Sequence, residues 1–225
     1  MTRGQFVRAM AMALLLPGAA WCAAKTHAVG LGAVRHEPYS AEGDPAGAQK
    51  DEKVLNVRPL VVDGKVKEWT TGEAHDVTER SFAVRRAVRL NDSLPSDHAV
   101  RWVWQRGPWL LVDRGSGKVT ALHLPDFSAG VSDVVWFRDD AAYCGLNASG
   151  RELMAVVAQI AARRPLLQKK IGEWDAADHP SRACTAAVWQ RDPLKVSFTP
   201  TGAAAVSFDL VGTSAVLVEE GDDSE

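Results

Sequence analysis

From residue 54 onward, short apolar runs alternate with clusters of turn residues. The runs include VRWVWQ, WLLVDR, KVTALHL, VSDVVWF, AAYCGL, ELMAVVAQI, LLQKKI, LKVSF and AVSFDL. Runs of four to eight residues rich in Val, Trp and Thr, bounded by Gly, Asp and Ser, are a strand pattern. In LVVDGKVKEW, Asp63-Gly64 between apolar flanks predicts a two-residue hairpin. SFAVRRAVRL predicts another strand, and NDSLPSD, 91–97, a loop. RELMAVVAQIAARR, 151–164, is rich in helix formers, yet it follows a Ser149-Gly150 turn and stops at Pro165. Its unbroken apolar run from Leu153 to Ala158 predicts a strand buried on both faces. The pattern predicts an all-β protein whose antiparallel meander hairpins form a small propeller-like or β-sandwich domain over 54–220. Ahead of it, 25–53 reads as one short strand (HAVGLGAVRHEPYS) and a flexible loop. The acidic end GDDSE, 221–225, reads as disordered.

The pattern repeats. WQRG at 104–107, WFRD at 136–139 and WQRD at 189–192 share Trp-x-Arg-Gly/Asp. Each Trp is followed, 12 or 13 residues on, by a Ser/Thr-Gly turn: Ser116-Gly117, Ser149-Gly150 and Thr201-Gly202. Gly serves such turns because it adopts positive φ freely. Centring a hairpin on Arg106-Gly107 sets Trp104 opposite Trp109 and puts Trp102, Trp104, Trp109 and Leu111 on one face. In the other two units Tyr143 and Leu194 are expected opposite the Trp. Indoles that recur in step with turns predict packing positions rather than a flat ligand platform. A unit of strand, turn and strand with a recurring Trp and a Gly turn resembles a β-propeller blade, over residues 99–218. The resemblance implies serial four-stranded sheets around a channel.

The N-terminus changes the picture of compartment. Arg3 and Arg8 lead into the apolar run Ala9–Leu16, which Pro17-Gly18 breaks before small residues. Residues 1–24 read as a secretory signal peptide, with cleavage after Ala20 or Ala24. No other run approaches the length of a membrane span. A periplasmic or secreted protein is expected. Cleavage after Ala24 leaves Cys144 and Cys184 as a pair, which predicts one disulfide.

Charge excludes one partner class. The formal net charge is -2, and losing Arg3 and Arg8 with the leader makes it -4. That argues against nucleic acid. The densest basic run, VRRAVRL at 84–90, reads as a solvated strand edge. Catalytic sets do not assemble. Asp113, Ser116 and His123 are of the right types for a triad, but a Gly-Ser-Gly turn accounts for Ser116. Asp139 and Asp140 at a turn tip are expected to point apart into water. No cofactor and no metal site is expected. EWDAADH at 173–179 gathers Glu173, Asp175, Asp178 and His179 in one loop. The leading expectation is a non-catalytic exported interaction or scaffold module with a protein or glycan partner. The first alternative is a glycan-binding module using exposed Trp side chains. Trp69 and Trp174, which lie outside the repeat, are expected to be the most exposed, with Asp175, Asp178 and His179 beside the latter. The second alternative is a hydrolase with its site in the 173–184 loop.

Overall fold

The computed structural model describes residues 26–40, 53–160, 162–175, 183–212 and 214–218. The expected leader, Asp178, His179 and the acidic tail lie outside them. The described chain is all-β, with three antiparallel sheets and no helix. The first sheet contains β1 (Val29–Leu31), β2 (Arg35–Pro38), β3 (Val54–Val62), β4 (Lys65–Asp76), β5 (Ser81–Asn91), β6 (Trp102–Asp113) and β7 (Val119–Ala121). Its order is β1-β3-β4-β5-β6-β7, and β2 also pairs with β3. The second sheet is a meander of β8 (Val135–Phe137), β9 (Asp140–Leu146), β10 (Glu152–Gln159) and β11 (Leu167–Glu173). The third is a meander of β12 (Val188–Arg191), β13 (Leu194–Phe198), β14 (Val206–Val211) and β15 (Ser214–Leu217). The segment expected to hold one N-terminal strand therefore holds two.

Asp63-Gly64 makes the expected hairpin, with Val62 opposite Lys65 and φ of 51° and 75°. The first Trp-x-Arg unit does not turn. Trp102–Asp113 is one strand, and Arg106-Gly107-Pro108 forms a bulge in it: Trp109 pairs with Arg85, but Arg106 pairs with Ala87. Pro108 has no N–H to give the ladder, and Gly-Pro suits a bulge as well as a turn. Gly107 is also needed for space, since a Cβ there would lie 2.7 Å from Val88 Cγ2. The extra residue preserves one expectation. Trp104 pairs with Arg89 and Trp109 with Arg85, so both indoles still stand on one face of the sheet.

The second and third units do turn, at Arg138-Asp139 and Asp192-Pro193. Their facing residues differ from expectation. Trp136 pairs with Ala141 and Trp189 with Val196, because the second turn is centred one residue earlier than expected and the third one residue later. The later turn glycines behave as expected: Gly117, Gly150 and Gly202 have φ of 63°, 70° and 77°.

The repeated tryptophans join one sheet to the next. Trp109 of β6 meets Trp136 of β8 edge to face, with centroids 5.2 Å apart. Trp189 of β12 lies 5.3 Å from Phe137 and donates its Nε1–H to Val135 O at 3.2 Å. Edge-to-face pairs add about 0.5–1.5 kcal/mol to the burial of the rings. Trp104 is buried, whereas Trp102 is 48 % exposed. The second sheet is covered on both faces. Ala141, Tyr143 and Val156 pack with Leu124, Trp109 and Phe127 on one side. Ala142, Ala155 and Val157 pack with Val196, Phe198 and Phe208 of the third sheet on the other. β10 is thus the doubly buried strand expected of its apolar run. The expected disulfide, Cys144–Cys184, lies in the same interface with both residues buried.

Asp140 departs from expectation. It begins β9 opposite Phe137 and is buried, with Oδ1 lacking a partner among the described residues. The turn ends one residue earlier, so the strand carries Asp140 inward. Desolvation raises its pKa to about 6, aided by the charge of Asp139 and opposed by Arg138. In the unfolded chain the value returns to an ordinary 3.8. Folding therefore favours the protonated acid. The contribution is complete below pH 3.8 and is lost as pH rises through about 6. Asp140→Asn is expected to raise stability at pH 8 by about 1–3 kcal/mol. Urea unfolding should show that gain shrinking below pH 6 and vanishing near pH 4.

Candidate functional site

A wide opening follows from two irregularities on either side of β5. On β4, the ladder to β5 shifts between Thr71 and His75, around Gly72 at φ 72°. On β6, the bulge at Gly107-Pro108 lies opposite Arg86. Bulges bend a strand and increase its twist. Beyond Thr70 and Arg86 the strands part. No ladder joins Lys65–Trp69 of β4 to Ala87–Asn91 of β5, while β3 and β6 keep their own pairings. The sheet also curls. Tyr39, just after β2, makes a single parallel bridge to Trp104, and the Ser40 N–H donates to Trp104 O at 3.0 Å. The sheet does not close into a barrel. What remains is a groove of about 610 Å³, lined by Arg35 and Glu37 of β2, Glu68 and Trp69 of β4, Arg86–Arg89 of β5 and Trp104 of β6.

Its floor is aromatic. Trp69 and Trp104 meet at 5.5 Å with their planes at 64°, over a small core of Tyr39, Leu55, Val57 and Ala87. Its rim sets Arg35, Arg86 and Arg89 against Glu37 and Glu68. The Arg35 guanidinium lies 5.0 Å over the Trp69 ring, and that of Arg89 4.7 Å over Trp102. Stacking leaves the edges of a guanidinium available as donors. Arg86 is committed to Glu68, with Nε to Oε2 at 2.9 Å. Arg85, on the opposite face of β5 from Arg86, is buried and donates Nε–H to Gly107 O at 2.8 Å. VRRAVRL is therefore not a solvated edge. β5 lies between β4 and β6, and its arginines divide between a bulge, an ion pair and the groove.

The structure places the sequence-derived candidates apart. Trp69 is in the groove and half-buried. Trp174 is half-buried against the core between the second and third sheets, and exposed Asp175 follows it. Trp102, not these two, is the most exposed indole described. The Asp113, Ser116 and His123 set does not assemble among the described residues. Asp113 Oδ1 accepts from the Ser116 N–H at 2.7 Å, and Oδ2 from Arg80 Nε–H at 3.0 Å. The Ser116 N–H and Arg80 together hold the Asp113 carboxyl below its ordinary range. Sequence reasoning missed Arg35, Glu37, Glu68, Arg86 and Arg89. The interleaving of Arg with Trp along β5 and β6 was the available signal.

The arrangement offers aromatic surface, guanidinium donors and main-chain edges without ladder partners across the gap. It brings no nucleophile beside a base. Among the described residues no three His, Cys, Asp or Glu side chains gather as a metal site, and no helix is long and apolar enough to cross a membrane. No family model, characterised protein or solved structure matches the chain.

Proposed function

We propose that this is a non-catalytic binding module of an exported protein, and that it takes an extended, acidic polypeptide segment in the groove of the first sheet. One observation carries the reading: β4 and β5 part where the lining is richest in Arg and Trp. Strand edges without a ladder partner recognise extended peptides by main-chain hydrogen bonds, and side-chain pockets add selectivity. Arg35 and Arg89 favour carboxylates in the partner. The 64° angle between Trp69 and Trp104 favours a peptide over a sugar ring, which stacks best on one plane. The buried disulfide and the leader-like N-terminus support export. The four-stranded meanders of the second and third sheets, each joined to the sheet before it through a Trp, support the blade-type reading for the last two units, while the first unit lies within one strand of a seven-stranded sheet.

A displayed library of extended peptides, selected on the full chain, tests this reading. Acidic sequences should be enriched. Arg35→Ala with Arg89→Ala should weaken the best binder at least about tenfold, since a charged hydrogen bond is worth about 1.5–3 kcal/mol. Lack of enrichment, or displacement of the peptide by neutral oligosaccharides, would contradict it.

A further inference from the structure

The arginines of the second and third Trp-x-Arg units line one cavity. Arg138 occupies the β8–β9 turn at φ 55°, and Arg191 ends β12. With Trp136, Phe137, Leu194 and His75 they border a space of about 470 Å³ where residues of all three sheets meet. The two guanidiniums lie 5.1 and 5.9 Å from the centroid of the same Phe137 ring. His75 stacks on Trp136 at 5.3 Å with the planes 14° apart. Its Nε2 donates to Arg138 O at 2.6 Å, because a carbonyl can only accept. That bond ties the turn bearing Arg138 to the first sheet.

The charges are unbalanced at this place. Among the described residues Arg58, Arg80, Arg86, Arg101 and Arg114 all have carboxylate partners. The guanidiniums of Arg138 and Arg191 have neither an ion pair nor a hydrogen bond there. No carboxylate lines the cavity. Asp139 accepts instead from Gln159 Nε2 at 3.0 Å, and Asp140 is buried in β9, where it feels the Arg138 charge but makes no salt bridge with it.

We propose that this cavity binds a small amphipathic anion. Its oxyanion head, a carboxylate or phosphate monoester, lies between Arg138 and Arg191, and its apolar body lies against Trp136, Phe137 and Leu194. The planar guanidinium fork matches both head groups. The volume suits a ligand of small-molecule size, and the wall sets two guanidiniums and an imidazole against Trp136, Phe137 and Leu194, the mixture of polar and apolar groups that an amphipathic anion needs. The repeat gains a second role from this: its tryptophans join sheets, and two of its arginines face the space where the sheets meet.

The test is titration of the full chain with benzoate, phenyl phosphate, inorganic phosphate and benzylammonium, followed by the indole N–H resonances of Trp136 and Trp189. Benzoate or phenyl phosphate should shift them saturably, and inorganic phosphate should bind at least about tenfold more weakly than phenyl phosphate. Arg191→Gln, and Arg138→Gln with Arg191→Gln, should each weaken binding about tenfold or more with the unfolding midpoint kept. The single variant alters an exposed strand end and so keeps the test independent of the turn. Equal binding of benzylammonium, equal binding of inorganic and phenyl phosphate, unchanged affinity in Arg191→Gln, or no saturable shift with either aromatic anion would overturn the proposal.

Discussion

Replacing Cys144 and Cys184 together by alanine is expected to lower stability by about 4 kcal/mol, the chain-entropy value for a loop of this length. The bridge spans 40 residues of sequence and joins β9 to the segment ahead of the third sheet, where Cys184 also bridges Pro200. It cross-links two sheets that otherwise pack through side chains and through the Ala183 and Cys184 N–H bonds to Val131 O. Both sulfurs are buried among Ala142, Ala155 and Phe198, so alanine removes little packing beyond the bond itself. Urea unfolding at pH 7 checks the value. A loss under about 1 kcal/mol would mean that the unfolded chain is already compact across this loop.

Phe198→Ala is expected to cost about 3–5 kcal/mol. Phe198 is fully buried between the second and third sheets and meets Phe208 edge to face at 6.1 Å. Two sheets face it, so closing the cavity requires the sheets themselves to approach. Little relaxation is available, which places the expected cost toward the upper end of that range. Thermal and urea unfolding of the variant should agree on it. A cost near 1 kcal/mol would show that the third sheet is held loosely against the second.

The two changes together show which parts of the fold were legible. Strand content, the Asp63-Gly64 hairpin, the doubly buried β10 and the cysteine pair all follow from local signals: alternation, turn chemistry, an unbroken apolar run and an even cysteine count. The repeat was legible as packing, since Trp104, Trp136 and Trp189 lie in or beside cores. Its first unit was misread because Gly-Pro serves a bulge as well as a turn, and only the pairing of β5 with β6 distinguishes them. Asp140 was misread by one residue of turn register, which decides whether a carboxyl faces water or the core.

The groove was the least legible feature, for a physical reason. Its residues come from β2, β4, β5 and β6, and the curl of the sheet gathers them. No local period marks the point at which two adjacent strands stop pairing. The kink at Gly72 and the bulge at Gly107-Pro108 act there jointly, though 35 residues of chain separate them. The basic run on β5 looked like an edge because its charges fall on both faces, and the explanation is that each face meets a different partner.

Amide hydrogen exchange of the full chain, with and without the best acidic peptide, tests the central claim most directly. The account predicts that the amides of 66–69 and 87–90 that point into the gap, rather than toward β3 or β6, exchange readily in the free protein and become protected when the peptide adds its main chain between them. Protection confined to other strands, or none at all on saturation, would contradict it.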